Sequence, residues 1–217
     1  MGSEVLHPTS GYSRTEEWAN SITHGLGFFL SIAGLVVAVV LASLNTDAYL
    51  ITASAVYGST LLALHFSSTM YHSTRNLTWK KRFLAADHSS IYLLIAGSYT
   101  PFCLGPLRGP VGWSLFGIVW GLALVGISRE IFRPKRGTWL STAIYLLMGW
   151  LILAFLFPLI KTLSPYALLM LFSGGCLYSL GVVFYRWHSL KYHHAIWHLF
   201  VMAGATCQFL AVLTLLR

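Results

Sequence analysis

Two histidines one helical turn apart form the most chemically informative pair in the sequence. His194 and His198 open an apolar stretch that runs to Leu216, and on a helix positions i and i+4 share one face. Two imidazoles placed in this way can chelate one metal ion. Ionisable side chains are costly within a long apolar helix and usually serve a function there. The pair therefore predicts a metal site that needs further ligands from elsewhere in the chain.

A second polar group lies at the boundary between two other apolar runs. Ser68 and His72 are again four residues apart, and Asp87 begins the next run. With His194 and His198, His72 gives zinc three nitrogen ligands, which in catalytic sites commonly leaves a position for water. Asp87 is then a candidate general base, and Ser68 a candidate for orienting the water or a ligand. Each histidine alone also fits an interfacial or core hydrogen-bonding role, but the combination favours a metal ion, for which Zn²⁺ is the candidate and other imidazole-binding metals stay open.

Three further polar residues precede or enter the first apolar run. Glu17, Asn20 and His24 are candidates for supporting the metal ligands through hydrogen bonds. An ordinary helix start explains the same stretch equally well, because acidic residues are favoured near a helix N-terminus. Both interpretations stay open at this stage.

The composition is that of a membrane protein. Of 217 residues, 56% are hydrophobic and only 9% are charged, against about 25% charged in soluble domains. The charges cluster and leave seven uncharged runs that reach or exceed the roughly 20 residues a helix needs to cross a bilayer, the third and fourth only just. We predict an all-α fold, an integral membrane seven-transmembrane helix bundle forming a single domain over residues 1–217. The predicted spans are approximately residues 20–44, 49–73, 84–104, 110–129, 138–159, 165–185 and 194–216.

The lysines and arginines predict the orientation of this bundle. Most of the 14 fall in the N-terminal segment and in the second, fourth and sixth connections. Because cytoplasmic loops carry the excess of positive charge, the N-terminus is predicted in the cytoplasm and the C-terminus outside. This topology explains the net charge of +8, so no nucleic-acid partner is predicted. Anionic membrane lipids are the natural counter-charge.

Five motifs carry a resemblance to the hemolysin III family of bacterial membrane proteins, part of the progestin and adipoQ receptor superfamily. The resemblance covers nearly the whole chain. The motifs are Glu17-x-x-Asn20-x-x-x-His24, Ser68-x-x-x-His72, the run from Asp87 to Pro101, the run from Tyr145 to Trp150, and the run from His193 to His198.

The resemblance implies a seven-helix bundle with a cytoplasmic N-terminus, in a bacterial plasma or inner membrane, with a zinc site inside the bilayer. The related adiponectin receptors hold zinc through three histidines that match His72, His194 and His198. Their nearby serine and aspartate match Ser68 and Asp87. One departure is Gln208, where many bacterial relatives are expected to carry histidine. It lies nearer the outer end of the last span and leaves the three-histidine set intact.

Three functions remain open from the sequence. The first is zinc-dependent, ceramidase-like hydrolysis of a lipid amide or ester that affects membrane lipid homeostasis, with a lipid as substrate or ligand. The second is a non-catalytic receptor or regulator of membrane state, in which zinc is structural. The third is a pore-forming or cytolytic factor, although the spans lack the polar residues along their length that line a water-filled path. The oligomeric state is not determined.

Overall fold

The computed structural model describes residues 10–44, 47–132 and 138–216, and these are helical apart from short connections. No strand occurs in those ranges. Arg133, Lys135, Arg136 and Arg217, which enter the orientation argument, lie outside the described residues. The helices are α1 (Arg14–Leu44), α2 (Ala48–Ser73), α3 (Leu77–Leu104), α4 (Pro110–Phe132), α5 (Trp139–Thr162), α6 (Pro165–Arg186) and α7 (His193–Leu216).

Polar caps define where several of these helices begin. The Asn76 side chain accepts hydrogen bonds from the backbone N–H groups of Thr78 and Trp79 at the start of α3. Thr138 and Ser164 cap α5 and α6 in the same way. Such caps satisfy N–H groups that have no partner within the helix.

Six of the seven described helices are long and apolar enough to cross a membrane. The exception is α3, whose first turns carry Lys80, Lys81, Arg82 and Asp87. The all-helical prediction is thus confirmed for the described residues, together with six apolar helices of spanning length. The count of seven spans and the orientation stay predictions.

Two helices begin well before the predicted spans. Helix α1 starts at Arg14, ahead of the predicted boundary at residue 20. Helix α3 starts at Leu77, ahead of the predicted boundary at residue 84. Each extension carries charged residues, and the extension of α1 contributes directly to the site described below.

Helix α5 is irregular in its middle. A 3-10 stretch, Leu151–Phe155, separates two α-helical pieces. Pro158 follows this stretch, and proline cannot donate the backbone hydrogen bond that a continuous α-helix requires of it. Helix α5 also packs less extensively on its neighbours than the other helices do.

The helices form a bundle in which chain neighbours lie side by side. Helix α1 packs on α2, α2 on α3, α3 on α4, and α6 on α7, while α7 also packs against α1. On α1, Phe29, Leu30 and Val36 are exposed, whereas Gly27 and Ser31 are buried. Small and polar residues thus face the interior and large apolar residues face outward, as is typical of helices packed within a bilayer.

Candidate metal centre

Three histidines from two helices converge at one end of the bundle. His72 lies near the end of α2, and His194 and His198 lie in the first turns of α7. One ring nitrogen from each histidine lies within 4.8 Å of those of the other two, and all three residues are buried. The structure therefore brings together the three ligands proposed from the sequence, in a group that could hold a metal ion.

Helix α1 orients the first of these rings. The Nδ1 atom of His72 lies 2.6 Å from the Glu17 Oε2 atom and 3.4 Å from the Asn20 Nδ2 atom. The His72 Nε2 atom is buried and has no hydrogen-bond partner among the described residues. A histidine that binds a metal through one nitrogen typically donates its other N–H to a carboxylate or a carbonyl. The contact with Glu17 has this form.

The same helix orients His198. Its Nδ1 atom lies 3.2 Å from the backbone oxygen of Asn20 and 3.0 Å from the Thr23 Oγ1 atom. Because a carbonyl oxygen only accepts, the contact with Asn20 places the proton on Nδ1 and leaves the lone pair on Nε2. The His24 ring stacks on the His198 ring, with 3.5 Å between centroids and an interplanar angle of 15°.

Tyr12 covers the third ligand. Its ring centroid lies 5.1 Å from that of His194 and 6.0 Å from that of His72. The Nδ1 atom of His194 is buried without a hydrogen-bond partner among the described residues. The segment that precedes α1 therefore closes the histidine group at this end of the bundle.

A buried lysine completes the surroundings of Glu17. The Lys80 Nζ atom lies 2.8 Å from the Glu17 Oε1 atom and donates to the Tyr71 backbone oxygen at 2.9 Å. The Ser10 hydroxyl donates to the same Glu17 oxygen. Lys80 is fully buried in α3, although the sequence alone places it among the charges of the second connection. It neutralises a carboxylate within the bundle.

This donor set fits a metal ion. Two nitrogen atoms of the group, one on His72 and one on His194, are buried and unpartnered among the described residues, and burying a polar atom without a partner is costly. Three imidazoles suit zinc, copper, iron and nickel. The geometry accordingly supports a metal site without identifying the metal.

Ser68 and Asp87 share a cavity with two of the ligands. Both residues are buried, and both line a cavity that His194 and His198 also line. The cavity extends along the bundle between α2, α3, α5, α6 and α7, and its far part includes Gln208. Its wall is mostly apolar. A polar group at the histidine end therefore adjoins space suited to hydrocarbon.

Other histidines in the bundle have partners of their own. His88 Nδ1 lies 3.4 Å from the Glu130 Oε2 atom, and His193 Nδ1 lies 3.1 Å from the Phe184 backbone oxygen. His65 Nδ1 lies 2.9 Å from Ser31 Oγ, deeper in the bundle. None of these three belongs to the group of possible metal ligands found in the described residues.

Sequence reasoning assigned no role at the site to Tyr12, Thr23 or Lys80. Thr23 lies one position before the candidate His24, but a threonine in an apolar helix gives no signal of its own. Tyr12 lies outside the apolar run, and Lys80 resembles an ordinary loop charge. Their roles depend on how α1, α2 and α3 pack, which spacing alone does not show.

Comparison with known proteins identifies the family. A family model described as "Haemolysin-III related" matches residues 12–209. "Hemolysin-3" of Bacillus cereus is 46% identical over 198 residues, covering 91% of this chain and 90% of that protein. The "Hemolysin-3 homolog" of Bacillus subtilis (strain 168) is 48% identical over 198 residues, covering 91% and 93%.

A more distant similarity extends to animals. The "Monocyte to macrophage differentiation factor" of Homo sapiens is 31% identical over 212 residues, covering 91% of this chain and 83% of that protein. The family resemblance drawn from the motifs is thereby confirmed. With bacterial relatives along nearly its whole length and six apolar helices of spanning length, the chain belongs to the haemolysin-III related family and is a multi-pass bacterial membrane protein.

Proposed function

We propose that this protein is a zinc-dependent membrane hydrolase that acts on a lipid amide or ester. One observation carries the proposal: His194 and His198, two members of the three-histidine group, line one end of a long, mostly apolar cavity together with Ser68 and Asp87. A metal group at the end of a hydrocarbon-compatible cavity suits a substrate with a polar carbonyl and a long tail. The ceramidase-type activity linked to the related adiponectin receptors supports the same class of reaction.

The residues of the chain divide the chemistry between them. His72, His194 and His198 would hold the ion, which when bound acts as a Lewis acid and lowers the pKa of water to about 7. Asp87 accepts a proton from the attacking water and returns it to the leaving group. Ser68 donates a hydrogen bond to the substrate oxygen on which negative charge develops. Glu17 and Asn20 hold His72 in position from α1.

The lipid enters sideways, between helices. Helix α5 forms one wall of the cavity through Tyr145, Gly149 and Ile152, and it packs less extensively than the other helices. Movement of this helix opens the cavity to the bilayer with the loss of few contacts. The apolar wall then receives the tail while the carbonyl approaches Asp87.

The test is turnover by purified, zinc-loaded protein on a panel of ceramides, N-acyl lipids and acyl esters. We expect release of a free fatty acid, and a loss of at least about 100-fold in Asp87→Asn, since asparagine cannot accept the proton. Asp47→Asn is the matched control, because Asp47 pairs with Arg108 away from the cavity. Absence of turnover on the whole panel, or equal rates in wild type and Asp87→Asn, would refute the proposal.

A second candidate is a non-catalytic receptor or regulator in which zinc is structural. It is favoured by the way the site ties three helices together: ligands come from α2 and α7, and their hydrogen-bond partners from α1. In that case His72→Ala lowers the thermal stability of the protein while Asp87→Asn leaves its biological function intact. The two candidates are thus separated by the effect of the Asp87 variant.

A further inference from the structure

Gln208 lies at the far end of the cavity from the three histidines. Its side chain lines the cavity and is only 8% exposed. It follows His198 on the same helix by ten positions, which corresponds to about 15 Å at about 1.5 Å per residue. The residue thus places a polar group at the end where a long tail would terminate.

The Gln208 amide has one satisfied atom and one unsatisfied atom. Its Nε2 donates to the Leu171 backbone oxygen at 3.1 Å, which fixes the orientation of the amide. Its Oε1 is buried and has no hydrogen-bond partner among the described residues. Gly174 on α6 makes room for this side chain, since a Cβ there would lie 2.8 Å from Nε2. A buried acceptor held in one orientation is suited to a hydrogen-bond donor on a ligand.

The polar groups between the two ends are satisfied within the protein. The Tyr99 hydroxyl donates to the Met148 oxygen at 2.8 Å, and the Trp150 indole donates to Ser179 at 2.9 Å. By contrast, the other lining residues with unpartnered atoms lie at the histidine end, His24 and His194 among them. The unmet hydrogen-bonding capacity of the described cavity wall therefore falls at its two ends, with an apolar stretch between them.

We propose that Gln208 recognises a hydroxyl group at the far end of an acyl chain whose carbonyl end lies at the histidine group. The acyl chain itself rests on the proposed function. A zigzag chain with C–C bonds of about 1.5 Å advances about 1.25 Å per carbon, so a distance of about 15 Å corresponds to about 12 carbons. The ligand class is an acyl chain of about this length with a terminal hydroxyl.

The test compares dodecanoic acid with 12-hydroxydodecanoic acid as competitors for radiolabelled dodecanoic acid bound to the full chain in nanodiscs. We expect the hydroxylated acid to bind about ten-fold more tightly to the wild type, because only it supplies the donor that Oε1 lacks. In Gln208→Leu we expect the two acids to bind with about equal affinity. Thr206→Val, an exposed position two residues away, is the matched control and keeps the preference.

The length of the acyl chain gives a second comparison in the same binding experiment. The preference for a hydroxyl group should disappear between octanoic and 8-hydroxyoctanoic acid, because the shorter chain does not reach Gln208. Equal affinities at twelve carbons, a preference that survives in Gln208→Leu, or no binding of either acid overturns the inference. A Gln208-dependent preference without any lipid turnover supports the inference and counts against the hydrolase. Failure of the inference can therefore be distinguished from failure of the proposed function.

Discussion

At the scale of single residues, the surroundings of His72 show how a buried carboxylate orients a candidate metal ligand. Glu17 contacts His72 Nδ1 through one oxygen and Lys80 Nζ through the other. Lys80 compensates the carboxylate charge in the interior, and a carboxylate left unpaired there would be strongly destabilising. The other Glu17 oxygen accepts the Nδ1–H of His72, which fixes the tautomer of the ring and leaves the lone pair on Nε2. The series of contacts Lys80–Glu17–His72 therefore links α3, α1 and α2 at one candidate ligand position.

The first prediction concerns Glu17. Glu17→Gln removes the charge but keeps the approximate shape, so His72 loses its anionic partner while the helix start remains. We expect metal affinity to fall by about 10- to 100-fold, as is usual for such supporting carboxylates. The measurement is a chelator competition titration on purified protein.

The neighbouring residue supplies the control for this experiment. Glu16 contacts the backbone of Ser13 and Tyr192 and is not a partner of His72. Glu16→Gln should therefore leave the metal affinity within about two-fold of wild type, as expected for a residue that touches no ligand. An equal loss in both variants would show that Glu17 acts through the helix start and not through His72.

At the scale of elements, hydropathy located the helices but not all of their ends. The apolar runs predicted the positions of α1 to α7 because lipid-facing residues dominate these helices. Hydropathy did not indicate the first turns of α1 and α3, because those turns carry Glu17 and Lys80. These two charges are buried against each other, so the helices continue where the composition suggests an end. Pairing between distant segments is not visible in a local count of charges.

The site, like the helices, was predictable from the sequence in its main members but not in its surroundings. The i,i+4 spacing placed His194 beside His198 on one face, and the similar depth of His72 completed the group. Thr23 could not be found in this way, because its contact with His198 joins residues that are far apart in the sequence. Tyr12 could not be found either, since only the folded chain brings its ring over His194.

The second prediction concerns the packing of α1 on α2, which sets the distance from Glu17 to His72. A Cβ atom at Gly27 would overlap the His65 ring, whereas a Cβ at Gly25 would have its nearest neighbour, Thr69 Cγ2, at 3.8 Å. Gly27→Ala should therefore push the two helices apart and cost about 1–3 kcal/mol. The readout is the unfolding temperature of purified protein, together with its metal content, and both should fall.

Gly25→Ala is the matched substitution on the same helix. It adds the same methyl group without a clash, and alanine is favoured over glycine in a helix by about 1 kcal/mol. We expect an unchanged or slightly higher unfolding temperature and normal metal content. If Gly27→Ala behaves in the same way, close packing at His65 does not position the site.

At the scale of the whole molecule, the candidate metal centre lies at the end of the bundle predicted to be cytoplasmic. His72 precedes the connection from α2 to α3, and His194 follows the connection from α6 to α7. Both connections are on the side that carries most of the lysines and arginines. The positive-inside rule therefore predicts that the candidate metal centre faces the inner leaflet and that water reaches it from the cytoplasm.

The third prediction tests this orientation with single cysteines in a background where Cys103, Cys176 and Cys207 are replaced by serine. Ser189→Cys lies in the connection from α6 to α7, and Thr162→Cys lies at the end of α5; both positions are exposed. In intact spheroplasts, a membrane-impermeant maleimide should label Thr162→Cys and leave Ser189→Cys unlabelled. After permeabilisation both cysteines should react. Labelling of Ser189→Cys only at that point would show that this cysteine is reactive but accessible from the cytoplasmic side alone.

The reverse pattern in spheroplasts would place the histidine group at the outer leaflet. The positive charges around it would then need an explanation other than topology, such as the neutralisation that Lys80 provides for Glu17.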